Sequence, residues 1–213
     1  MADCAHCSAK LCKTGGHLEA APQDCPCRTT NDEKELARYR GDDKMIAVHA
    51  AVVEGMKYGT LTRIEEIMEF AIRCGFKHLG LAFCVGLAEE GRIVADILKA
   101  NGFEVDSVCC KCGSVNKTNM GLTSEEFVIK DADFEAMCNP AGQAAVLDAA
   151  GCEFNIACGL CVGHDTLFIK NSEAPVTILA AKDRACAHNP LGAIYTSKTY
   201  RANLYKYVER RDK

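Results

Sequence analysis

Cysteine dominates the chemistry available to this chain, since it accounts for 15 of the 213 residues. A chain of this length buries roughly 70% of its unfolded surface on folding and needs no cross-links for stability. Disulfide frameworks belong to short secreted chains, whereas an odd number of thiols in a longer chain is typical of metal ligands or nucleophiles in a reducing compartment. The cysteines are therefore expected to act as ligands or nucleophiles.

Residues 1–30 contain five of these cysteines, Cys4, Cys7, Cys12, Cys25 and Cys27. The spacing C-x2-C-x4-C-x12-C-P ends in Cys-Pro, as ferredoxin-type sites do, although the first spacings of those sites differ. A zinc interpretation uses the first two and the last two cysteines, with a spacing close to that of a zinc ribbon. The segment has too little apolar content for its own core. It is predicted to be a metal-binding knuckle, with iron–sulfur favoured over zinc.

Most of the later cysteines come at the ends of predicted strands or at a helix start. Parallel strands bring their carboxyl ends to one edge of a sheet, where helix N-termini stabilise anionic groups. The sequence therefore predicts a thiolate site, favouring an iron–sulfur cluster, at that edge. The cysteines concerned are Cys84, Cys109, Cys110, Cys112, Cys138, Cys158, Cys161 and Cys186. The remaining two, Cys74 and Cys152, are interpreted as packing residues.

Four polar residues are predicted to lie at the same edge and are the candidates for catalysis: His164, Asp165, Lys182 and Arg184. A histidine there could donate a proton or bind a metal. The lysine and the arginine could bind an anionic substrate. The alternative is structural, with ion pairs between Asp165 and Lys182 and between Asp183 and Arg184.

The run Cys158-Gly159-Leu160-Cys161 also fits a redox C-x-x-C motif between a strand and a helix. Thioredoxin-like dithiols use one such pair early in their fold, whereas this pair comes late and among many other thiols. Thiol–disulfide exchange or sulfur transfer by these two cysteines is therefore an alternative hypothesis.

A helical lead-in over residues 31–75 is predicted to follow the cysteine-rich segment. Asn31 can cap a first helix, and Thr62 with Glu65 forms a capping box for a helix that ends at Gly75. The predicted domains are therefore a metal-binding segment, 1–30, and an α/β domain, 31–213, which includes the lead-in and a basic tail, 197–213.

From residue 76 onward the pattern alternates between strand and helix. Asn139-Pro140 and Asn189-Pro190 each have the form of a helix start, with Asn as N-cap and Pro at the first helical position. Such alternation predicts an α/β fold with an open, mostly parallel sheet and Rossmann-like or flavodoxin-like layering. The predicted strands are His78–Phe83, Phe103–Val108, Glu153–Ala157 and Val176–Ala181.

Charge and hydropathy exclude several classes of function. The net charge of −4 argues against wholesale nucleic-acid binding. No stretch approaches 18 uncharged apolar residues, and the first residues lack the apolar core of a signal peptide, so that a cytoplasmic protein without a membrane span is expected. No P-loop or G-x-G-x-x-G motif is present, so nucleotide binding has no support.

Three strings carry a resemblance to a known family: CNPAGQA (138–144), GLCVGHDTLF (159–168) and APVTILAAKDRACAHNPLGAIY (174–195). They resemble the domain of unknown function 1847 family, prokaryotic proteins often described as metal-binding, and AFCVGL, CCK and the N-terminal cysteine pattern extend the match over nearly the whole chain. The resemblance implies one ligand set of Cys4, Cys7, Cys12 and Cys25 and a second of Cys84, Cys110, Cys138 and Cys161. The other cysteines that exceed the family pattern leave the ligand choice open: Cys27, Cys109, Cys112, Cys158 and Cys186.

The residues and the resemblance together predict a cytoplasmic metal-binding protein with one or two iron–sulfur clusters and a redox or sulfur-handling role. If it is an enzyme, an iron–sulfur reductase is the expected type. An electron-transfer protein or a small anionic substrate is the expected partner. The alternatives are a zinc-stabilised regulatory module without catalysis and the thiol–disulfide enzyme described above.

Overall fold

The computed structural model describes residues 2–210, and these form two compact units. The first unit ends at Gly55 and contains the five N-terminal cysteines, whereas the second begins at Met56 and contains the other ten. Residues 31–55 thus group with the cysteine-rich segment. The sequence predicted a domain boundary after residue 30, and this boundary stays a prediction.

Short helices make up the first unit. They are α1 (Leu11–Thr14), α2 (Asp32–Leu36) and α3 (Asp43–Met56), with single 3-10 turns at Cys4–His6 and Leu18–Ala20. Asn31 caps α2 as predicted, because its side-chain oxygen accepts a hydrogen bond of 3.0 Å from the backbone N–H of Lys34. The Arg28 guanidinium donates to the Ala21 carbonyl at 2.7 Å and so ties the cysteine-rich segment to itself.

The second unit opens with α4 (Arg63–Cys74), whose two ends match the prediction. The backbone N–H of Thr62 donates to the Glu65 carboxylate at 2.7 Å, which completes the capping box. Gly75 ends the helix with a φ of 79°, a left-handed conformation that glycine adopts without strain.

Four parallel strands form the sheet of the second unit: β1 (His78–Phe83), β2 (Glu104–Cys109), β3 (Phe154–Leu160) and β4 (Val176–Ala181). Their order is β2-β1-β3-β4, so the chain changes direction across the sheet between β1 and β3. This order is that of a flavodoxin-like sheet, in which ligands bind at the carboxyl edge beside the switch point. The predicted α/β class with a parallel sheet is confirmed.

Helices connect the strands and continue the chain beyond them: α5 (Ala88–Ala100), α6 (Pro140–Ala149), α7 (His164–Asn171), α8 (Leu191–Tyr195) and α9 (Tyr207–Arg210). Single 3-10 turns lie at Val85–Leu87, Lys117–Met120, Ser124–Glu126 and Ala202–Lys206. Asn139 caps α6 as predicted, with its side-chain oxygen 2.9 Å from the N–H of Gly142. Asn189 makes no such bond, and α8 is a short helix that begins one residue after Pro190.

The sheet has an apolar core on each face. Leu79 and Leu81 of β1 pack with residues of α4 and α5, whereas Ala82 packs with Leu147 of α6 and Phe168 of α7. All five side chains are fully buried. Truncating one of the leucines to alanine costs about 2–5 kcal/mol in such a setting, so these layers hold the sheet edges in place.

Strand β3 is longer than predicted, and this changes the position of one cysteine. Cys158 was expected after the strand, but it lies inside β3 and packs in the core shared with α4 and α5. A register irregularity at Cys158 and a φ of 66° at Gly159 let the pairing with β4 continue to Leu160. The prediction ended the strand at Ala157 because it did not include this bulge.

The helical spacing of Tyr200, Leu204 and Tyr207 predicts a helix in the basic tail that docks on the rest of the chain, but this helix is not continuous. Residues 197–206 form turns and one 3-10 segment, and Tyr200 is 93% exposed rather than docked. Residues 211–213 of the predicted basic tail lie outside the described residues. Within the described part of the chain, none of the helices has the length and apolar character needed to cross a membrane.

Candidate metal centre

Each strand of the sheet is followed at once by a residue singled out from the sequence. Cys84 follows β1, Cys110 follows β2, Cys161 follows β3 and Lys182 follows β4. Because the strand order is β2-β1-β3-β4, the first and third of these flank the switch point. Cys138 lies one residue before the N-cap of α6. The carboxyl edge therefore carries thiols at the ends of three strands and an ammonium group at the end of the fourth.

Three of these thiols lie in one buried group. Cys84, Cys110 and Cys138 pack in the same apolar core, and the Sγ atoms of Cys110 and Cys138 are 3.8 Å apart. The backbone N–H of Val85 donates to the Cys110 sulfur at 3.3 Å. Asn139 donates its N–H to the carbonyl of Cys110 at 2.8 Å, which fixes the loop after β2 against the start of α6.

The close pair of thiols holds its protons unequally. The contact with the Cys110 sulfur, followed by the charge of Lys111 and the electrostatic influence of His164, lowers the pKa of Cys138 to about 5. The same contact, together with burial, raises the pKa of Cys110 far above its usual range. The contact therefore favours the proton on Cys110 and the negative charge on Cys138.

Two cations border the thiols from the β3–β4 side. The guanidinium of Arg184 donates to the Cys161 sulfur at 3.3 Å, and the Lys182 ammonium lies 3.3 Å from the point where a Cβ on Gly86 would stand. Among the described residues, neither cation forms an ion pair with a carboxylate within 4.0 Å. The ion pairs weighed from the sequence are thus not formed, and both charges face the thiols.

A strained turn presents Arg184. The Asp183 carboxylate accepts from the N–H of Cys186 at 2.9 Å, and His188 Nδ1 accepts from the N–H of Asp183 at 3.1 Å. Ala187 and His188 both have positive φ angles, 50° and 61°, which are costly for residues other than glycine. Strain of this kind persists only where surrounding bonds over-determine the conformation.

The two other candidates for catalysis lie at the start of α7. The His164 N–H donates to the Cys161 carbonyl at 2.9 Å, and the charge of His164 acts on Cys138. The Asp165 carboxylate accepts from the N–H of Thr166 at 2.7 Å and so serves the helix start. The structure thus brings three of the four predicted polar residues to the thiols and assigns Asp165 a local role.

The additional cysteines differ in their surroundings. Cys109 borders the same apolar core as Cys110, and Cys112 donates weakly to the Asn139 carbonyl at 3.5 Å. Cys158 is buried on the opposite face of the sheet, and burial raises its pKa. A low thiol pKa is what makes a cysteine nucleophilic, so the surroundings of Cys158 do not favour exchange chemistry at the C-x-x-C motif.

In the first unit, Cys4, Cys7 and Cys25 line one pocket together with Asp3 and His6. Cys12 does not line it. Over the described part of this segment, no three ligating atoms of His, Cys, Asp or Glu lie within 4.8 Å of one another. The N-terminal metal knuckle therefore stays a prediction.

A second group of ligating atoms lies toward the amino edge of the sheet, where no sequence motif indicated a site. This group consists of His78, Asp106 and Cys152, whose ligand atoms all lie within 4.8 Å of one another. Over residues 2–210, no other three His, Cys, Asp or Glu side chains meet this distance. Burial, followed by the charges of Asp106 and Asp148, raises the pKa of Cys152 to about 11. Cys152 does pack in the core, but it also faces two ligating neighbours.

The comparisons with known proteins agree with the resemblance noted in the sequence. The chain is 42% identical over 194 residues to an uncharacterized protein of Methanocaldococcus jannaschii. The aligned region covers 91% of this chain and 93% of that protein. No solved structure matches the chain. The sequence model described as "Protein of unknown function (DUF1847)" matches residues 25–179. The chain therefore belongs to the DUF1847 family.

Proposed function

We propose that this protein is an iron–sulfur protein of the cytoplasm, with a cluster held at the carboxyl edge of the sheet by Cys84, Cys110, Cys138 and Cys161. Such a cluster would carry electrons when it is bound, at a potential set by its type, its charge and the hydrogen bonds to its sulfurs. The proposed role is electron transfer or the reduction of a small anionic substrate. An electron-transfer protein would then be the natural partner.

The observation that carries the proposal is the meeting of three thiols from separate segments in one apolar cluster, two of them buried and Cys138 partly buried. Cys84, Cys110 and Cys138 come from two strand ends and a helix start, and Cys110 is only 2% exposed. Buried thiols that serve only for packing do not require positive neighbours. Here Lys111 and Arg184 supply positive charge beside them, and His164 acts on Cys138 in the same direction.

The surrounding residues have definite tasks in this proposal. Four thiolates with a cluster are net anionic, and the cations beside the thiols offset that charge. Hydrogen bonds from Val85 N–H to Cys110 and from Arg184 to Cys161 lower the electron density on the sulfurs, which tunes the potential. Lys182 and Arg184 would also hold an anionic substrate near the site.

A second metal site is proposed at Cys4, Cys7, Cys12 and Cys25 in the first unit. Cys4, Cys7 and Cys25 share one pocket, which supports this set. Either zinc or an iron–sulfur cluster suits thiolate ligands at this spacing.

Metal and sulfide analysis of anaerobically purified full-length protein tests the main proposal. We expect a brown protein with equal amounts of iron and acid-labile sulfide, and an electron paramagnetic resonance signal after reduction with dithionite. Cys138→Ser should lose the cluster of the second unit, whereas Cys74→Ser, a change inside α4, should keep it. A colourless protein with stoichiometric zinc and no sulfide would contradict the proposal and support the zinc-stabilised module.

A second candidate function is thiol–disulfide exchange by Cys110 and Cys138. The observation that favours it is their 3.8 Å separation combined with the lowered pKa of Cys138. The Cys138 thiolate would attack a disulfide of a partner and release one partner thiolate. Cys110 would then lose its proton, attack Cys138 and release the second partner thiol, which leaves this chain oxidised and the partner reduced.

Mass spectrometry after incubation with a model disulfide separates this candidate from the cluster. Exchange predicts a Cys110–Cys138 disulfide in the wild type and a trapped mixed disulfide in Cys110→Ser. The C-x-x-C alternative predicts the bond between Cys158 and Cys161 instead. Protein that stays fully reduced would exclude both versions of exchange.

A further inference from the structure

Toward the amino edge of the sheet, three elements of the second unit each supply one ligating side chain. His78 is the first residue of β1, Asp106 lies in β2, and Cys152 lies two residues before β3. The strand register pairs His78 with Glu104 and Gly80 with Asp106, so both ligating side chains of the strands project from one face. Cys152 packs in the core on that same face.

We propose that His78, Asp106 and Cys152 form a binding site for a divalent transition ion such as Zn²⁺, with the fourth position open to solvent. The Nε2 atom of His78 and a carboxylate oxygen of Asp106 are 2.7 Å apart, and the Cys152 sulfur completes a set within 4.8 Å. Tetrahedral zinc with bonds of 2.0–2.3 Å holds its ligands about 3.3–3.8 Å apart. Small side-chain rotations about the present positions would therefore admit the ion.

Charge and burial fit such an ion. A neutral imidazole, a carboxylate and a thiolate carry two negative charges, which a divalent ion neutralises. Cys152 is 7% exposed and the Asp106 side chain 52%, so the sulfur faces the core and the carboxylate faces water. The open fourth position would then lie on the solvent side.

Hydrogen bonds from neighbouring residues fix the backbone that carries His78 and Cys152. The Glu153 carboxylate accepts hydrogen bonds from the N–H groups of Lys77 and His78, at 2.6 and 3.0 Å. Cys152 donates its own N–H to the carbonyl of Leu147 at 3.1 Å. Ligands positioned in this way lose little conformational freedom when an ion binds.

A buried amide on the same face of the sheet lacks hydrogen-bond partners among the described residues. Asn155 is fully buried, and neither its side-chain oxygen nor its nitrogen has a hydrogen-bond partner in the described structure. In the register, Asp106, Gly80 and Asn155 form one row across three strands. The Asn155 oxygen lies 2.0 Å from where a Cβ on Gly80 would stand, so it projects over the glycine on the ligand face. The Asn155 amide is therefore a further polar group on the face of the sheet that carries the ligands.

The alternative is a simple ion pair between His78 and Asp106, which explains fewer of the observations than a metal site does. It would explain the 2.7 Å contact between their side chains. It would not explain the thiol that lies within reach of both groups. The metal site accounts for the contact and for the thiol together.

Zinc uptake by full-length protein, treated with a chelator under anaerobic reducing conditions, tests the proposal. A chromophoric chelator competes for added Zn²⁺, and the number of tight sites per chain is compared between variants. We expect His78→Gln and Cys152→Ser each to bind one Zn²⁺ fewer than the wild type. Asp106→Asn, a change of nearly equal volume at a half-exposed position, should weaken that site at least tenfold.

Cys74→Ser is the matched control, because it removes a partly buried thiol elsewhere and should leave zinc uptake unchanged. Circular dichroism confirms that each variant is folded, and Asp106→Asn keeps the test decisive if Cys152→Ser unfolds. Iron and sulfide, measured on protein before chelation, should be unaffected by all four changes, so that this test is independent of the proposed cluster. Equal zinc uptake by the wild type, His78→Gln and Asp106→Asn would overturn the proposal.

Discussion

The two ends of the sheet use the same residue type in opposite electrostatic settings. At the carboxyl edge, the contact with the Cys110 sulfur, a lysine and a histidine lower the pKa of Cys138. Toward the amino edge, burial, followed by the charges of Asp106 and Asp148, raises the pKa of Cys152. Burial, hydrogen bonding and neighbouring charge together therefore decide where this protein holds a ready thiolate.

The difference follows from strand polarity. At the carboxyl edge the chain leaves the strands and begins helices, so that backbone N–H groups such as that of Val85 point toward sulfur. Toward the amino edge, Cys152 donates its own N–H to a carbonyl and faces carboxylates instead. The first setting suits an anionic cluster, and the second suits a divalent cation.

The largest expected effect is loss of one metal centre without loss of the other. Cys110→Ser should abolish the iron and sulfide of the second unit, because it removes the buried sulfur that bonds to Val85 and Cys138. Zinc uptake at His78, Asp106 and Cys152 should persist. Metal analysis of the variant checks both, and joint loss of the two signals from a folded variant would contradict the division into two sites.

The next largest effect is on thiol alkylation of the metal-free, reduced protein. With a pKa of about 5, Cys138 is a thiolate at pH 7, and its alkylation rate should stay constant through neutral pH and fall in acid. Cys152, with a pKa of about 11, should react at least 100-fold more slowly at pH 7 and gain rate as the pH rises. Peptide mapping after timed alkylation measures both, and equal rates would show that the two settings do not differ.

Two glycine-to-alanine substitutions test how tightly side chains pack beside Gly80 in β1 and beside Gly86, just after β1. In Gly80→Ala, the new Cβ would meet the Asn155 oxygen at 2.0 Å and a Leu147 methyl at 2.9 Å, which should cost about 1–3 kcal/mol of unfolding free energy. In Gly86→Ala, the Cβ meets the flexible end of Lys182 at 3.3 Å, so the cost should stay within about 0.5 kcal/mol. Urea unfolding measures both, and similar costs would contradict the packing described.

The smallest effect concerns the charge that borders the cluster. Arg184→Gln removes the hydrogen bond of 3.3 Å to Cys161 and one positive charge, so the more negative, reduced cluster loses stabilisation. The reduction potential should fall by roughly 50 mV, close to a tenfold change for one electron. Redox titration followed by electron paramagnetic resonance checks this, with Lys170→Gln on α7 as a charge-matched control. An unchanged potential would remove Arg184 from the site.

Much of the second unit could be predicted because local signals dictate it. Both ends of β1 and β4 were predicted to the residue, since apolar runs bounded by polar residues permit few other choices. The caps at Thr62 and Asn139 formed as expected, because each side chain bonds within its own turn. The extension of β3 was missed, since it depends on pairing with β4 across a bulge.

The same distinction applies to the sites. The order of strands and cysteines along the sequence implied that Cys84, Cys110 and Cys161 would reach one sheet edge, because parallel strands must end together. Strand order, which no local signal contains, determines that Cys84 and Cys161 flank the switch point. His78 and Cys152 carried no visible motif, since neither forms a short spacing with another ligand in the sequence.

The sequence by itself determined the fold class, the strand polarity and the concentration of thiols at one sheet edge, because these follow from apolar patterning and residue order. Only the tertiary structure decided which thiol holds a negative charge and which metal ligands face one another. Both depend on distances of a few ångströms between residues far apart in the chain, such as Cys110 and Cys138 at 3.8 Å. Electrostatic interaction falls with distance, so the chemistry of each end is set by packing.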